Sequence, residues 1–352
     1  MKIGFYPRYD RLGASSRYRF FMYFDRCIQS GISAGNSWNI YPGMSDDYLR
    51  ELYQRSQVGK LRQAGEMCHL FKRACQIPRD EKMIIEYELM PHLPWAWERK
   101  LIGNRSYILN FDDNVWEKYR DNSRLLDKFD QLCRHAAGVI VANNFLLEKI
   151  SGLNSNICLI PTVLDLDKYT VCNDKFEKFT IVWIGTPVTY MYLEQHIEVL
   201  RQITADNKCE LLVVAAADLG HTRPLQGVNA RYVNWSEKDE IAYLQRSHVG
   251  IMPLSDDEFS RGKSAFKLLQ YQACGLPLIA SPVGENKRVV IPGENGFLAE
   301  SAAEWIWALQ KLRSDQTVYD PCSCKARAQA YEYSLQKYWP VFHDFIIKTF
   351  SN

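Results

Sequence analysis

Three cations fall within seven residues at Arg261-Gly262-Lys263-Ser264-Ala265-Phe266-Lys267. An apolar run, Val249 to Leu254, precedes them. A helix-like segment follows, ends at Cys274-Gly275, and leads into a second apolar run, Leu278-Ile279-Ala280. Strand, cationic turn, helix, glycine stop and strand make up a parallel α/β unit. The first N–H groups of such a helix have no partner within it and its dipole is positive there, so anions bind at its start. Three further cations suit a di-anionic ligand such as a diphosphate. Lys263 and Lys267, four residues apart, equally suit a solvated helix face. The P-loop is excluded, because the glycine it requires five residues before Gly262 is Asp257 here.

Other candidates lie just beyond apolar runs, where open parallel sheets bind ligands. Gly185-Thr186 follows Thr180 to Ile184, and a glycine there lets a phosphate or sugar approach the backbone. Phe111-Asp112-Asp113-Asn114 closes another run. Adjacent carboxylates repel each other, so the pair calls for solvent, a partner or a function; capping a helix that starts at Val115 is a further role open to Asp113 or Asn114. Arg17 and Arg19 follow Gly13-Ala14 closely, facing either an anion or water. Trp235 suits a stacking surface or a core.

These positions must be held by regular elements. Ile3–Tyr6, Met83–Ile85, Tyr107–Leu109, Gly138–Val141 and Cys158–Ile160 are predicted strands in the first half, with helices over 16–29, 46–75, 125–136 and 144–150. The second half repeats the pattern. Its predicted strands are Thr180–Ile184, Glu210–Ala215, Val249–Leu254 and Leu278–Ala280, with helices over 193–204, 237–246 and 265–273. Two doubly wound α/β domains follow, divided in the polar stretch Asp165 to Lys178. Trp339, Phe342, Phe345, Ile346 and Phe350 line one face of a terminal helix, expected to start near Trp339 so that Pro340 falls in its first turn.

Composition fits that architecture. A chain of 352 residues exceeds the usual size of a single core. A net charge of +2 argues against a dedicated nucleic-acid binder. The ten cysteines show no zinc spacing and read as free thiols, so no metal is assigned. Met1–Tyr6 reads as a buried strand rather than a targeting signal, and no run reaches transmembrane length; a cytoplasmic protein is expected. The stretch 46–75 carries Arg50, Lys60, Arg62, Lys72 and Arg73 beside apolar residues. It suits a solvated face or, for a lipid-linked acceptor, peripheral contact with the inner face of a membrane.

Val249–Leu254, the cationic turn, Leu268-Leu269-Gln270-Tyr271, Ala273-Cys274-Gly275-Leu276-Pro277, Ser281-Pro282-Val283-Gly284 and Pro292-Gly293-Glu294-Asn295-Gly296-Phe297-Leu298-Ala299 together resemble the C-terminal signature of glycosyltransferase family 4. The likeness is strong from Trp235 to Ala299 and weak elsewhere. It implies the GT-B fold, two Rossmann-like domains facing a cleft, with the terminal helix crossing back to the first. The ranges would be 1–165 with 336–352 on the acceptor side and 178–335 for the nucleotide sugar. It implies transfer of a sugar from a nucleotide diphosphate to a saccharide or lipid-linked acceptor, with retained configuration and no metal or other cofactor, in surface polysaccharide or glycoconjugate synthesis. On this resemblance Gly13, Ala14 and Arg17 lie at the donor phosphates, and Asn234 and Trp235 at the base. Arg261, Gly262, Ser264, Phe266, Gly185 and Thr186 surround the donor. Gln270 would reach the ribose, Glu88 the acceptor, and Asp112, Asp113, Lys263 and Lys267 would serve the chemistry. Many members carry glutamates where Gly262 and Gln270 stand, and one branch shows the Gly-Lys form found here. Their absence leaves two alternatives open, an epimerase of the same fold and a non-catalytic GT-B subunit that partners a transferase.

Overall fold

The computed structural model describes residues 1–29, 36–55 and 57–351. The chain divides into two units. The first comprises Met1–Val163, Gly262–Ser264 and the C-terminal segment from Leu335, and the second Leu164–Arg261 and Ala265–Ser334.

The first unit holds six parallel strands, β1 (Lys2–Tyr6), β2 (Ser37–Ile40), β3 (Glu81–Glu86), β4 (Tyr107–Phe111), β5 (Gly138–Val141) and β6 (Ile157–Leu159), in the order β2-β1-β3-β4-β5-β6. Central strands read as unbroken apolar runs because both faces are covered. Met83, Ile85, Leu109, Phe111, Val139 and Val141 enter one core with Leu132, Leu146 and Phe129. The alternate residues Ile84, Ile108 and Ile140 enter the other with Phe20 and Tyr23. The terminal helix, Leu335–Ser351, completes that second core through Trp339, Phe342, Ile346 and Phe350. The Phe342 ring stacks on Tyr23 at 4.1 Å between centroids.

The second unit repeats the plan with β7 (Phe179–Gly185), β8 (Cys209–Ala215), β9 (Ala230–Asn234), β10 (Val249–Met252), β11 (Leu278–Ala280) and β12 (Gly296–Leu298), ordered β12-β11-β10-β7-β8-β9 and also parallel. The winding reverses between β7 and β10, the usual ligand crevice of such a sheet. Tyr271, on the helix Phe266–Ala273, spans that point. Its hydroxyl accepts from Ile184 N at 3.0 Å and donates to Ile251 O at 3.3 Å. Gly250 lies under the ring, where any side chain would collide with it.

The two-sheet α/β reading holds, but several elements differ from expectation. β2, β9 and β12 were not foreseen, because each is a short edge strand with little apolar signal; β9 reads Ala-Arg-Tyr-Val-Asn and is only partly buried. Asn234 therefore ends a strand instead of lying in a loop. The expected helix over 46–75 is two helices, Asp46–Arg55 and Lys60–Cys75, the second opening after Gly59; Ser56 lies outside the described residues. Arg73 is not on its exposed face but buried, donating to Pro7 O and Tyr41 O at 2.9 Å. The terminal helix begins at Leu335, so Pro340 sits past its first turn. Leu335 is buried in the core with Trp339, and that packing carries the helix back one turn. Among the described residues no helix is long and apolar enough to cross a membrane.

Candidate functional site

In the first unit the loops after β1, β3 and β4 converge through hydrogen bonds. Glu86 ends β3. Its Oε2 accepts from Arg8 N at 2.7 Å and Ser16 Oγ at 2.6 Å, and Ser16 Oγ accepts from Tyr9 N at 3.0 Å. The glycine-containing loop is thus clamped onto the strand end. Gly13 is needed there because a Cβ would press on the Tyr9 side chain. Burial, then repulsion from Asp112, raises the Glu86 carboxyl to about 7. Its Oε1 has no hydrogen-bond partner.

Tyr87, the next residue, is left-handed with φ of 60°, a conformation unfavourable for a bulky side chain. The turn aims its hydroxyl at Asp112 Oδ1, to which it donates. Burial and the neighbouring Asp112 raise the Tyr87 phenol well above its ordinary value. Asp112 is buried and Asp113 partly exposed. Asn114, the N-cap of the following turn, makes no side-chain cap hydrogen bond. Gly262–Ser264 run beside them. Ser264 Oγ donates to Asp112 O at 2.9 Å, Lys263 Nζ lies 4.0 Å from Asp113 Oδ2, and Asn143 Nδ2 donates to Gly262 O at 2.8 Å. A side chain at 262 would strike Asn114, which is a packing reason for the glycine.

Two expected contacts are corrected. Arg19 is locked inside, donating to Asn110 Oδ1 and Ile160 O, and Arg17 is buried with Nη1 on Arg11 O at 3.2 Å. Both side chains turn inward because the segment after Ala14 winds as a five-residue π-helix, Arg17–Phe21. Ala14, by contrast, stays exposed. Glu88 is no open acceptor contact. Its carboxylate is fully buried and accepts from Lys128 Nζ at 2.6 Å, Arg8 Nη1 at 2.9 Å, Lys118 Nζ at 2.9 Å and the Tyr119 hydroxyl at 3.0 Å. Burial opposes its ionisation, but Lys128, Arg8 and Lys118 outweigh burial and hold it well below the carboxylate range. Lys128 also meets Glu98 Oε2 at 2.6 Å and Met90 O at 2.7 Å. Local sequence gave no sign of this cluster, whose members span 8 to 128.

In the second unit Gly185 closes β7 against the Trp183 ring, which a Cβ would meet. Lys267 Nζ lies 5.7 Å over the same ring. Gly185 and Lys267 thus both lie against the Trp183 ring. The Thr186 carbonyl accepts from Thr189 N at 3.0 Å and Thr189 Oγ1 at 3.1 Å, closing a tight turn. Entry to the helix Phe266–Ala273 runs through Ala265, buried and left-handed with φ of 53°. A non-glycine residue there stores strain, a feature common at ligand sites. Phe266 and Lys267 form its partly exposed first turn, while Gln270 is buried with Nε2 unpartnered. A buried amide without partner calls for a ligand or a water. Asn234 is exposed and Trp235 half-buried; the indole donates to Glu240 Oε2 at 2.6 Å. Arg261 departs from the expected diphosphate contact. It is exposed and occupied by Asp256 at 2.6 Å, with Glu258 at 3.5 Å.

Residues 178–315 match the family model described as glycosyl transferases group 1. The match lies almost wholly within the second unit. No curated protein matches the chain in sequence. Among solved structures, sucrose-phosphate synthase from Thermosynechococcus elongatus aligns at 15% identity over 99% of both chains, with a TM-score of 0.73. Anabaena HepE in complex with UDP and glucose aligns at 12% over 99% of this chain and 100% of that one, with a TM-score of 0.70. The pneumococcal O-GlcNAc transferase GtfA aligns at 12% over 80% and 59%, with a TM-score of 0.61. At these identities the likeness establishes the fold, which is GT-B. The matched range contains the cationic turn's Arg261 and Lys267, the left-handed Ala265 and the Tyr271 bridge.

Proposed function

We propose that this protein is a glycosyltransferase that moves a sugar from a nucleotide diphosphate to a hydroxyl of a saccharide or lipid-linked acceptor. The observation that carries the reading is the turn into Phe266–Ala273. It leaves β10 beside the reversal of winding, passes through a strained Ala265, and places Lys267, like Gly185, against the Trp183 ring within the matched range. Negative charge grows on a diphosphate as its sugar departs, and a helix start with fixed cations stabilises it without reorganisation. Gln270 is suited to a ribose hydroxyl, since its buried amide N–H lacks a protein partner.

The first unit would then receive the acceptor, with Asp112 and Asp113 at the carboxyl end of β4 to hold the reacting sugar or hydroxyl. Retention of configuration, metal independence and a role in surface glycoconjugate synthesis belong to the same proposal. UDP-sugars are the first donors to test, because HepE holds UDP-glucose in a related fold.

A panel of nucleotide sugars read by thermal shift tests the donor, since a ligand specific to the folded state raises the midpoint by mass action. One nucleotide diphosphate and its sugar should stabilise the protein. Consumption with candidate acceptors, with and without chelator, then tests transfer. A protein that no nucleotide sugar stabilises and that turns none over would overturn the reading. Donor binding without turnover would favour a non-catalytic partner subunit.

A further inference from the structure

The ion cluster around Glu88 is unbalanced. Arg8, Lys118 and Lys128 share Glu88; among the described residues the one further ion pair in the cluster is Glu98 on Lys128, while Glu86, also near Arg8, is raised to about 7. Lys128 lies wholly in the interior, so the surplus positive charge falls on the two outer cations. Arg8 keeps 12% of its side chain in solvent and Lys118 28%. Both stand at carboxyl ends of strands: Arg8 beyond β1 and Lys118 in the turn Val115–Tyr119 beyond β4. They flank β3, and the sheet's winding reverses between β1 and β3.

The rim is also built. Tyr119 bonds both oxygens of Glu88, its ring lies under Lys118 Nζ at 4.6 Å, and its hydroxyl accepts from His92 N at 2.9 Å. His92 is exposed and left-handed, with φ of 61°, and its ring packs edge-on against Tyr119 at 5.6 Å. The short connection after β3 thus holds two strained residues, Tyr87 and His92. Burial and then the Arg8 charge lower the Lys118 ammonium to about 8. Burial and then the Lys118 charge lower the His92 imidazole. Both shifts mark a place where one more negative charge is favourable.

We propose that Arg8 and Lys118, with His92 at their rim, bind an anionic group on the acceptor, either a phosphate or a carboxylate. With Arg8 Nη1 on Glu88 and Nε on the Tyr9 hydroxyl at 3.2 Å, Arg8 offers Nη2 to an anion oxygen, and Lys118 offers a point charge. The inference rests on the reading that the first unit receives the acceptor, and it names the class of that acceptor. Glu88 need not move, because its carboxylate stays beneath the cations.

Anion binding is testable without donor or turnover, so its failure and the failure of the transferase reading are separable. Acetylation of Lys118, followed by peptide mass spectrometry, should be slowed by methyl phosphate or by glucuronate and unaffected by glucose. At ten times Kd the slowing should be roughly tenfold. The same probe should shift the His92 ring signals in the parent and in Lys118→Arg but leave them in place in Lys118→Gln, with fold checked by circular dichroism. Response to methyl phosphate alone assigns a phosphate-bearing acceptor, and response to glucuronate alone an acidic sugar. Lys118 acetylation and His92 signals indifferent to both probes, or a His92 shift of equal size in Lys118→Gln, would overturn the proposal.

Discussion

The carboxyl edges of the two sheets share a topology and differ in how they handle charge. In the first unit, titratable side chains crowd beyond β1, β3 and β4 and are engaged within the protein: Glu88 under Arg8, Lys118 and Lys128, which leaves positive charge in excess, and Glu86 beneath the glycine loop. In the second, the corresponding edge presents a glycine, an indole face, buried amides and Lys267 at a helix start. On the proposed function, the edge fixed by internal ion pairs receives the acceptor, and the edge with an unpartnered buried amide and a cation at a helix start receives the diphosphate.

The largest effect should come from breaking the first edge's internal balance. Lys128→Met leaves Glu88 and Glu98 buried without their shared cation and should lower unfolding free energy by about 3–5 kcal/mol, measured in denaturant. Adding Glu98→Gln should recover part of the loss. Recovery would show that the damage is electrostatic and not a matter of lost packing.

The second edge should respond in rate, not stability. Lys267→Ala on that edge, and Lys263→Ala beside Asp113 in the first unit, should each lower kcat/KM at least about tenfold, the worth of a charged hydrogen bond of about 1.5–3 kcal/mol, with unfolding unchanged. If both transfer sugar at the parental rate, the lysines are a solvated face and the contrast between the edges collapses.

Smaller and more diagnostic is pH. Glu86 titrates near 7 in the fold against 4.5 when free. The folded state therefore binds the extra proton between these values, and stability should fall as pH rises from about 4.5 to about 7. Glu98, likewise raised to about 7 by burial, acts in the same direction. Glu86→Gln should remove its share of the slope while the Glu98 share persists, as pH-dependent denaturation would reveal. A slope unchanged by Glu86→Gln means that its proton is not held as described.

Asp112→Asn and Asp113→Asn should lower transfer while leaving nucleotide diphosphate affinity nearly unchanged, the first more than the second because Asp112 also fixes Tyr87. Full activity in both and in the double variant would remove the aspartates from the mechanism. Smallest of all, Arg261→Ala should alter kcat/KM by no more than about twofold, since an exposed guanidinium already on Asp256 contributes little.

The sequence made the central strands and the cationic turn legible because both are local. Gly138–Val141 and Leu278–Ala280 are continuous apolar runs, and their spans agree with the strands observed. Edge strands such as β9 escaped because half-buried residues need no apolar run. The inward turn of Arg17, Arg19 and Arg73 escaped as well, since a cation's destination depends on carbonyls far along the chain: Ile160 for Arg19, Pro7 and Tyr41 for Arg73. The family resemblance points to Glu88. Its three cations come from separate elements, and no window of sequence contains them.

Tyr271 and Gly250 form one fitted unit, since the ring fills the space a side chain at 250 would take. Natural variation should therefore couple the two positions. A lineage that acquires alanine or serine at 250 must already have lost the ring at 271, and with it the hydroxyl that ties Ile184 to Ile251. The order of the two changes is constrained, because the ring can shrink above a glycine but a side chain cannot grow beneath a tyrosine.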